Sequence, residues 1–150
     1  MSKNKLAGVR LFEGLEKDQL DRIEAAGEMV RYEVGDTIFE EGNKGTHVYC
    51  LVSGRVEISL SLGESGDCAP VHTATEGSVF GEFVLFESVK RSATARATKP
   101  AQILTIDAGV LRDIFADDPS AGYRTMDNLC RILVERMAKT TSELRSSLMW

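Results

Sequence analysis

From Val30 to Phe80 the apolar runs are short and glycines fall between them, and that punctuation narrows the chain to a small set of folds. Gly35, Gly42, Gly45, Gly54, Gly63, Gly66, Gly77 and Gly81 fall between the runs, where tight turns need backbone that only glycine adopts cheaply. The runs read as strands. Val30, Tyr32 and Val34 alternate with polar residues, as do Val56, Ile58, Leu60 and Leu62, and Ile103, Leu104 and Ile106 close the series. The pattern predicts a mainly β fold with flanking helices. It is an antiparallel β-roll, of the double-stranded β-helix or jelly-roll kind, over about residues 28–106 of a single domain 1–150.

Helices flank the roll. Leu15 to Gly27 reads as a short amphipathic helix with Leu15, Leu20, Ile23 and Ala26 inward and Gly27 as its stop. Asp107 can cap a helix carrying Val110, Leu111, Ile114 and Phe115. Asp118-Pro119 is a second cap, with proline at the first helical position of a long helix reaching about Leu148. At 1.5 Å per residue this helix is roughly 45 Å long, too long to lie wholly on a domain of this size. Met126, Cys130, Leu133, Met137, Thr140 and Leu144 on it are spaced 4, 3, 4, 3, 4, a heptad seam that favours parallel pairing with a second copy.

Composition removes several functions. A formal net charge of −5 without a Lys/Arg cluster argues against DNA binding by this chain. No segment approaches the ~20 apolar residues of a membrane span, and no apolar run follows the basic residues at the N-terminus, so a soluble, cytoplasmic protein is expected. Cys50, Cys68 and Cys130 are widely spaced and read as reduced thiols, Cys50 and Cys130 on apolar faces. With only His47 and His72, no imidazole cluster offers a metal site, and no nucleophile elbow or phosphate loop of the Gly-Lys-Ser/Thr kind is present. No catalytic residue, metal or cofactor is expected, and the chain is read as a binding module rather than an enzyme.

The chemistry concentrates between Phe80 and Ala97. Gly81-Glu82 opens a short helical turn, whose first N–H groups lack partners and favour an anion, and Gly81 lets that anion come close. Arg91, nine residues after Glu82, supplies a planar fork of donors for phosphate oxygens. Glu82 would repel a phosphate but accept a hydrogen bond from a ribose 2′-hydroxyl. A ligand with a free 2′-OH and a phosphate tied elsewhere, such as a 3′,5′-cyclic nucleotide, satisfies both.

The stretch from Phe80 through Gly81, Glu82, Phe83 and Val84 to Arg91, Ser92 and Ala93 resembles the phosphate-binding cassette of cyclic nucleotide-binding domains. Val34 to Gly42 and Val48 to Val56 are similar to that family's first strands, and the likeness covers about residues 11–148. The family usually has a small residue where Val84 stands and a proline where Lys90 stands. Val84 therefore narrows the phosphate pocket and Lys90 adds charge beside Arg91. The segment Glu135 to Glu143 is similar to the dimer helix of catabolite-activator-type regulators, where a hydroxyl pair meets the purine. The resemblance implies Thr140 and Thr141 as base contacts, with Arg136 reaching the same edge, and Ser92 as the hydroxyl that would favour a guanine. It implies a sensor for cyclic AMP, or cyclic GMP, that pairs as a homodimer through its last helix and signals to an unknown protein partner. The alternative left open is a dimeric scaffold whose cassette no longer binds.

Overall fold

The computed structural model describes residues 4–86 and 90–149; Glu87, Ser88 and Val89 of the cassette lie outside the described residues. The elements in chain order are α1 (Lys17–Ala26), β1 (Glu28–Tyr32), β2 (Thr37–Phe39), β3 (His47–Ser61), β4 (Cys68–Ala74), β5 (Val79–Phe80), β6 (Thr94–Asp107), α2 (Ala108–Asp117) and α3 (Pro119–Leu148). A 3₁₀ turn at Glu82–Leu85 follows β5. Every strand pairing is antiparallel: the order is β1-β6-β3-β4, with β2 also on β6 and β5 on β3. The predicted roll with helices at both ends is what forms.

Two long strands carry the architecture. β3 and β6 pair along most of their length, but the register shifts around Ser53 and Arg55. Gly54 sits there at φ +101°, and a Cβ on it would lie 2.3 Å from the Pro100 carbonyl oxygen. Only glycine permits this bend, which turns each strand from one half of the roll into the other. Side-chain alternation then fills two cores. Leu51 and Ile103 face the interior of the roll with Val56, Phe80, Ala95 and Ala97, while their neighbours Cys50 and Leu104 face the helices with Phe12, Ile23, Leu111 and Leu129.

The caps fall where the sequence puts them: Asp107 Oδ1 accepts the Val110 N–H at 3.0 Å, and Asp118 Oδ1 accepts the Ala121 N–H at 3.2 Å. Three expectations are corrected. Val34 is exposed beyond β1, because Asp36 Oδ2 takes the Glu33 N–H and Gly35, at φ +90°, turns the chain there. Leu62 is exposed beyond β3, where its N–H turns to the Asp67 carbonyl. Gly27 does stop α1, as expected, but in extended backbone (φ −100°), and a Cβ on it would stand 3.0 Å from Leu104. Cys130 is exposed rather than packed.

The seam on α3 is corrected with it. Ala121, Gly122, Thr125, Leu129 and Ile132 are the face that docks on the domain, and Met126 and Leu133 pack beside them against the same core. The apolar residues left exposed are Tyr123, Val134, Met137, Leu144 and Leu148. The free stripe is therefore rotated from the predicted one and includes Cys130, Met137 and Leu144 of its members. No helix among the described residues is long and apolar enough to cross a membrane.

Candidate functional site

Gly81, at φ +70°, ends β5 and opens the turn that carries Glu82. A Cβ there would lie 2.7 Å from Arg91 Nη1 and 3.0 Å from the Tyr49 ring, so glycine is required both by backbone and by space. The far end of the turn is held from α2, where Arg112 Nη1 donates to the Val84 and Leu85 carbonyl oxygens at 3.0 and 3.2 Å. Two of its carbonyl groups are thus partnered, and the residues that open it, Gly81, Glu82 and Phe83, line the cavity, at the end of a helical turn where an anion is favoured.

Arg91 is buried. Its Nη1 donates to the Gly81 carbonyl oxygen at 2.9 Å and its Nη2 to the His47 carbonyl oxygen at 2.8 Å. The guanidinium lies over the Phe39 ring, 4.4 Å from its centroid, with Tyr49 at 5.3 Å. Tyr49 in turn stacks on Phe80 at 5.3 Å, an opposition set by the pairing of β3 with β5. Burial draws the guanidinium below its ordinary value of 12.5, yet an arginine in such a site keeps its charge. The result is a desolvated, oriented cation with donors to spare.

Glu82 is buried as well, and its Oε1 accepts from Arg136 Nη1 at 2.5 Å. Arg136 Nη2 also donates to the Val79 carbonyl oxygen at 2.7 Å. The same helix is fastened by Asn128, which donates to the Leu11 and Glu13 carbonyl oxygens, and by the Arg10–Glu135 ion pair. The cassette carboxylate and the long helix are thus one connected unit.

These groups face one cavity of about 180 Å³. Of the residues the sequence singled out, Phe80, Gly81, Glu82, Phe83, Val84, Arg91, Ser92, Ala93 and Arg136 line it. Thr140 and Thr141 do not; they are exposed on α3 beyond the domain. Among the described residues, three cations, Lys90, Arg91 and Arg136, and one carboxylate, Glu82, stand in the lining of a chain whose formal net charge is −5. Such a site takes an anion. Phe39, Ile58 and His72 complete the lining and were not picked out from the sequence.

Gly45 was also missed as a site residue. A Cβ on it would lie 2.4 Å from Arg91 Cζ and Nε, though its backbone is not left-handed. Gly45→Ala should therefore push the guanidinium off the Gly81 and His47 carbonyl oxygens as well as out of the cavity, so that anion affinity and melting temperature fall together. Calorimetric titration beside thermal unfolding checks this; a variant with unchanged affinity would show that Arg91 does not touch the ligand.

Comparison with known proteins places this geometry. A family model described as the cyclic nucleotide-binding domain matches residues 29–118. A CRP-like cAMP-activated global transcriptional regulator of Mycobacterium tuberculosis is 25% identical over 139 residues, 93% of this chain and 60% of the relative. The chain thus spans about three fifths of that regulator's length. A cGMP-dependent protein kinase of Eimeria tenella is 33% identical over 106 residues, 71% of this chain and 10% of the kinase. Among solved structures, the catabolite activator protein of Thermus thermophilus superposes with a TM-score of 0.77 at 25% identity, over 91% of this chain and 62% of its own. A cyclic nucleotide-binding domain from Methylobacillus flagellatus reaches 0.83 over 95% of this chain and 80% of its own, at 16% identity, a likeness of fold alone. With the cassette's glycine, carboxylate and arginine gathered on one cavity of that roll, the chain belongs to the cyclic nucleotide-binding domain family.

Proposed function

We propose that this chain is a sensor that binds a 3′,5′-cyclic purine nucleotide, cyclic AMP in preference to cyclic GMP, and signals through α3. The observation that carries the reading is the shared cavity of Arg91 and Glu82, with Glu82 tied to α3 through Arg136. The cyclic phosphate sits against Arg91 and the N–H end of the Glu82–Leu85 turn, and Lys90 adds charge. The ribose 2′-OH donates to Glu82. Because Arg136 holds the same carboxylate, a ligand that engages Glu82 acts directly on the helix. The role proposed is recognition rather than catalysis, without a metal or cofactor.

The signal passes to a second copy along the exposed α3 stripe, and from there to a partner protein rather than to DNA bound by this chain. Thr140 and Thr141, displaced from the chain's own cavity, are proposed to cover the purine in the paired molecule. Their hydroxyls suit the amino group of adenine, and this supports cyclic AMP; the named relatives include both a cAMP-activated regulator and a cGMP-dependent kinase.

Thermal unfolding with cyclic AMP, cyclic GMP and linear 5′-AMP tests the reading. At ~100 times its dissociation constant the true ligand adds about 2.7 kcal/mol to stability. The expected order is cyclic AMP, then cyclic GMP, with no effect of the linear nucleotide. A 2′-deoxy cyclic nucleotide should lose affinity on wild type and lose little further on Glu82→Ala, because one hydrogen bond is removed only once. No shift with either cyclic nucleotide would leave a dimeric scaffold as the function.

A further inference from the structure

A second cavity adjoins the first. It has a volume of about 200 Å³, lies between α3 and the segment that joins β4 to β5, and shares Arg136 with the cavity of Arg91 and Glu82. Among the described residues its lining sets three cations, Arg10, Arg136 and Lys139, against one carboxylate, Glu135. His72, also in the lining, is held below its ordinary value of 6.5, first by burial, and adds no charge at neutral pH. The excess is two positive charges, in a chain whose formal net charge is −5.

The pairs already made leave donors free. Arg10 gives only its Nη2 to Glu135, in an ion pair whose side chains are 47% and 61% exposed. So exposed a pair contributes little, and an anion that shares Arg10 displaces almost nothing. Arg136 gives Nη1 to Glu82 and Nη2 to the Val79 carbonyl oxygen, which leaves its Nε–H. Lys139 has no carboxylate within ion-pair distance among the described residues. Ser78 Oγ accepts the Thr75 N–H at 3.3 Å and keeps its own hydroxyl hydrogen to donate.

We propose that this cavity is a second anion site, selective for the terminal phosphate of a small phosphate monoester. Arg10 and Lys139 meet the phosphate oxygens, Arg136 adds its charge from the wall shared with the first cavity, and Ser78 donates from the opposite side. Val79 and Ile132 give the body of the ester an apolar wall. Charge decides between the phosphate classes. A monoester carries about −1.5 to −2 at neutral pH, which the excess of two cations matches, whereas a cyclic phosphodiester carries a single charge. The site stands whether or not the first cavity takes a cyclic nucleotide.

Inorganic phosphate, titrated into isotope-labelled protein at an ionic strength held constant with sodium chloride, tests the site by NMR. The Ser78 and Ile132 amide signals should shift and saturate. Lys139→Glu reverses the charge of an exposed α3 residue, leaves the core untouched, and should abolish that saturation. Arg10→Gln should raise the half-saturating concentration about two- to fivefold, the worth of one exposed charge contact. Methyl phosphate should follow inorganic phosphate, and dimethyl phosphate, a monoanion, should bind about fivefold more weakly or worse. Shifts that never saturate mark an adventitious ion only and overturn the site, as do shifts confined to Gly81, Glu82 and Phe83, which put the phosphate in the first cavity. Equal affinity in wild type and Lys139→Glu overturns it likewise, and equal affinity for methyl and dimethyl phosphate overturns the choice of a monoester.

Discussion

Arg91→Ala should weaken cyclic AMP binding by roughly 30-fold to several thousand-fold, because breaking a desolvated charge pair costs about 2–5 kcal/mol. The structure adds a second consequence. The guanidinium also satisfies the Gly81 and His47 carbonyl oxygens and lies over Phe39, so its removal leaves two acceptors unpaired at about 1–3 kcal/mol each and opens a void beside the ring. Stability should fall together with affinity. Arg91→Lys separates the two effects: it keeps the charge but loses the planar fork, and should bind better than Arg91→Ala while still failing to pair both carbonyls. The measurement is calorimetric titration at a temperature where circular dichroism shows both variants folded. Equal affinity in wild type and a folded Arg91→Ala would remove the phosphate from Arg91.

The glycine, carboxylate and arginine of the cassette were legible in the sequence because they are local. Gly81, Glu82 and Arg91 lie within eleven residues, and the spacing alone puts a turn, a carboxylate and a cation side by side. The caps at Asp107 and Asp118 were legible for the same reason, as each bonds an N–H three residues away. What surrounds Arg91 was not. Phe39, Gly45, His47 and Tyr49 reach it only through strand pairings and a loop that bring distant segments together, and no spacing in the sequence encodes that meeting. In the sequence His72 counted only as half of too small an imidazole set for a metal; its place beside Arg136 depends on where α3 docks.

The α3 seam was half legible. A helix with apolar residues on two faces carries two overlapping heptad patterns, and sequence alone cannot say which face the domain takes. The domain takes Thr125, Leu129 and Ile132, drawing Met126 and Leu133 with them, and the stripe it leaves passes through Val134, Met137, Leu144 and Leu148.

Met137→Glu should therefore turn the proposed dimer into a monomer. Met137 is 69% exposed, with Val134 at 66%, Leu144 at 58% and Leu148 at 77%, on a helix whose last twelve residues run about 18 Å past Arg136. Glu at this position sets two like charges facing each other in an apolar seam and removes two methionines, each worth about 1.5–3 kcal/mol when fully buried. The dimer should weaken by about a hundredfold or more. Leu133, which the sequence placed at the centre of the seam, is the wrong position for this test, because it packs on the chain's own core and a charge there would damage the fold. Light scattering at micromolar concentration should find wild type dimeric and Met137→Glu monomeric, with little change in thermal unfolding of the roll. If Thr140 and Thr141 of the paired copy cover the purine, cyclic AMP affinity falls in the same variant, while Arg91 and Glu82 keep the phosphate sugar. Wild type that is monomeric with and without cyclic AMP would remove the dimer and its part in the signal, and an equally tight Met137→Glu dimer would move the interface off this stripe.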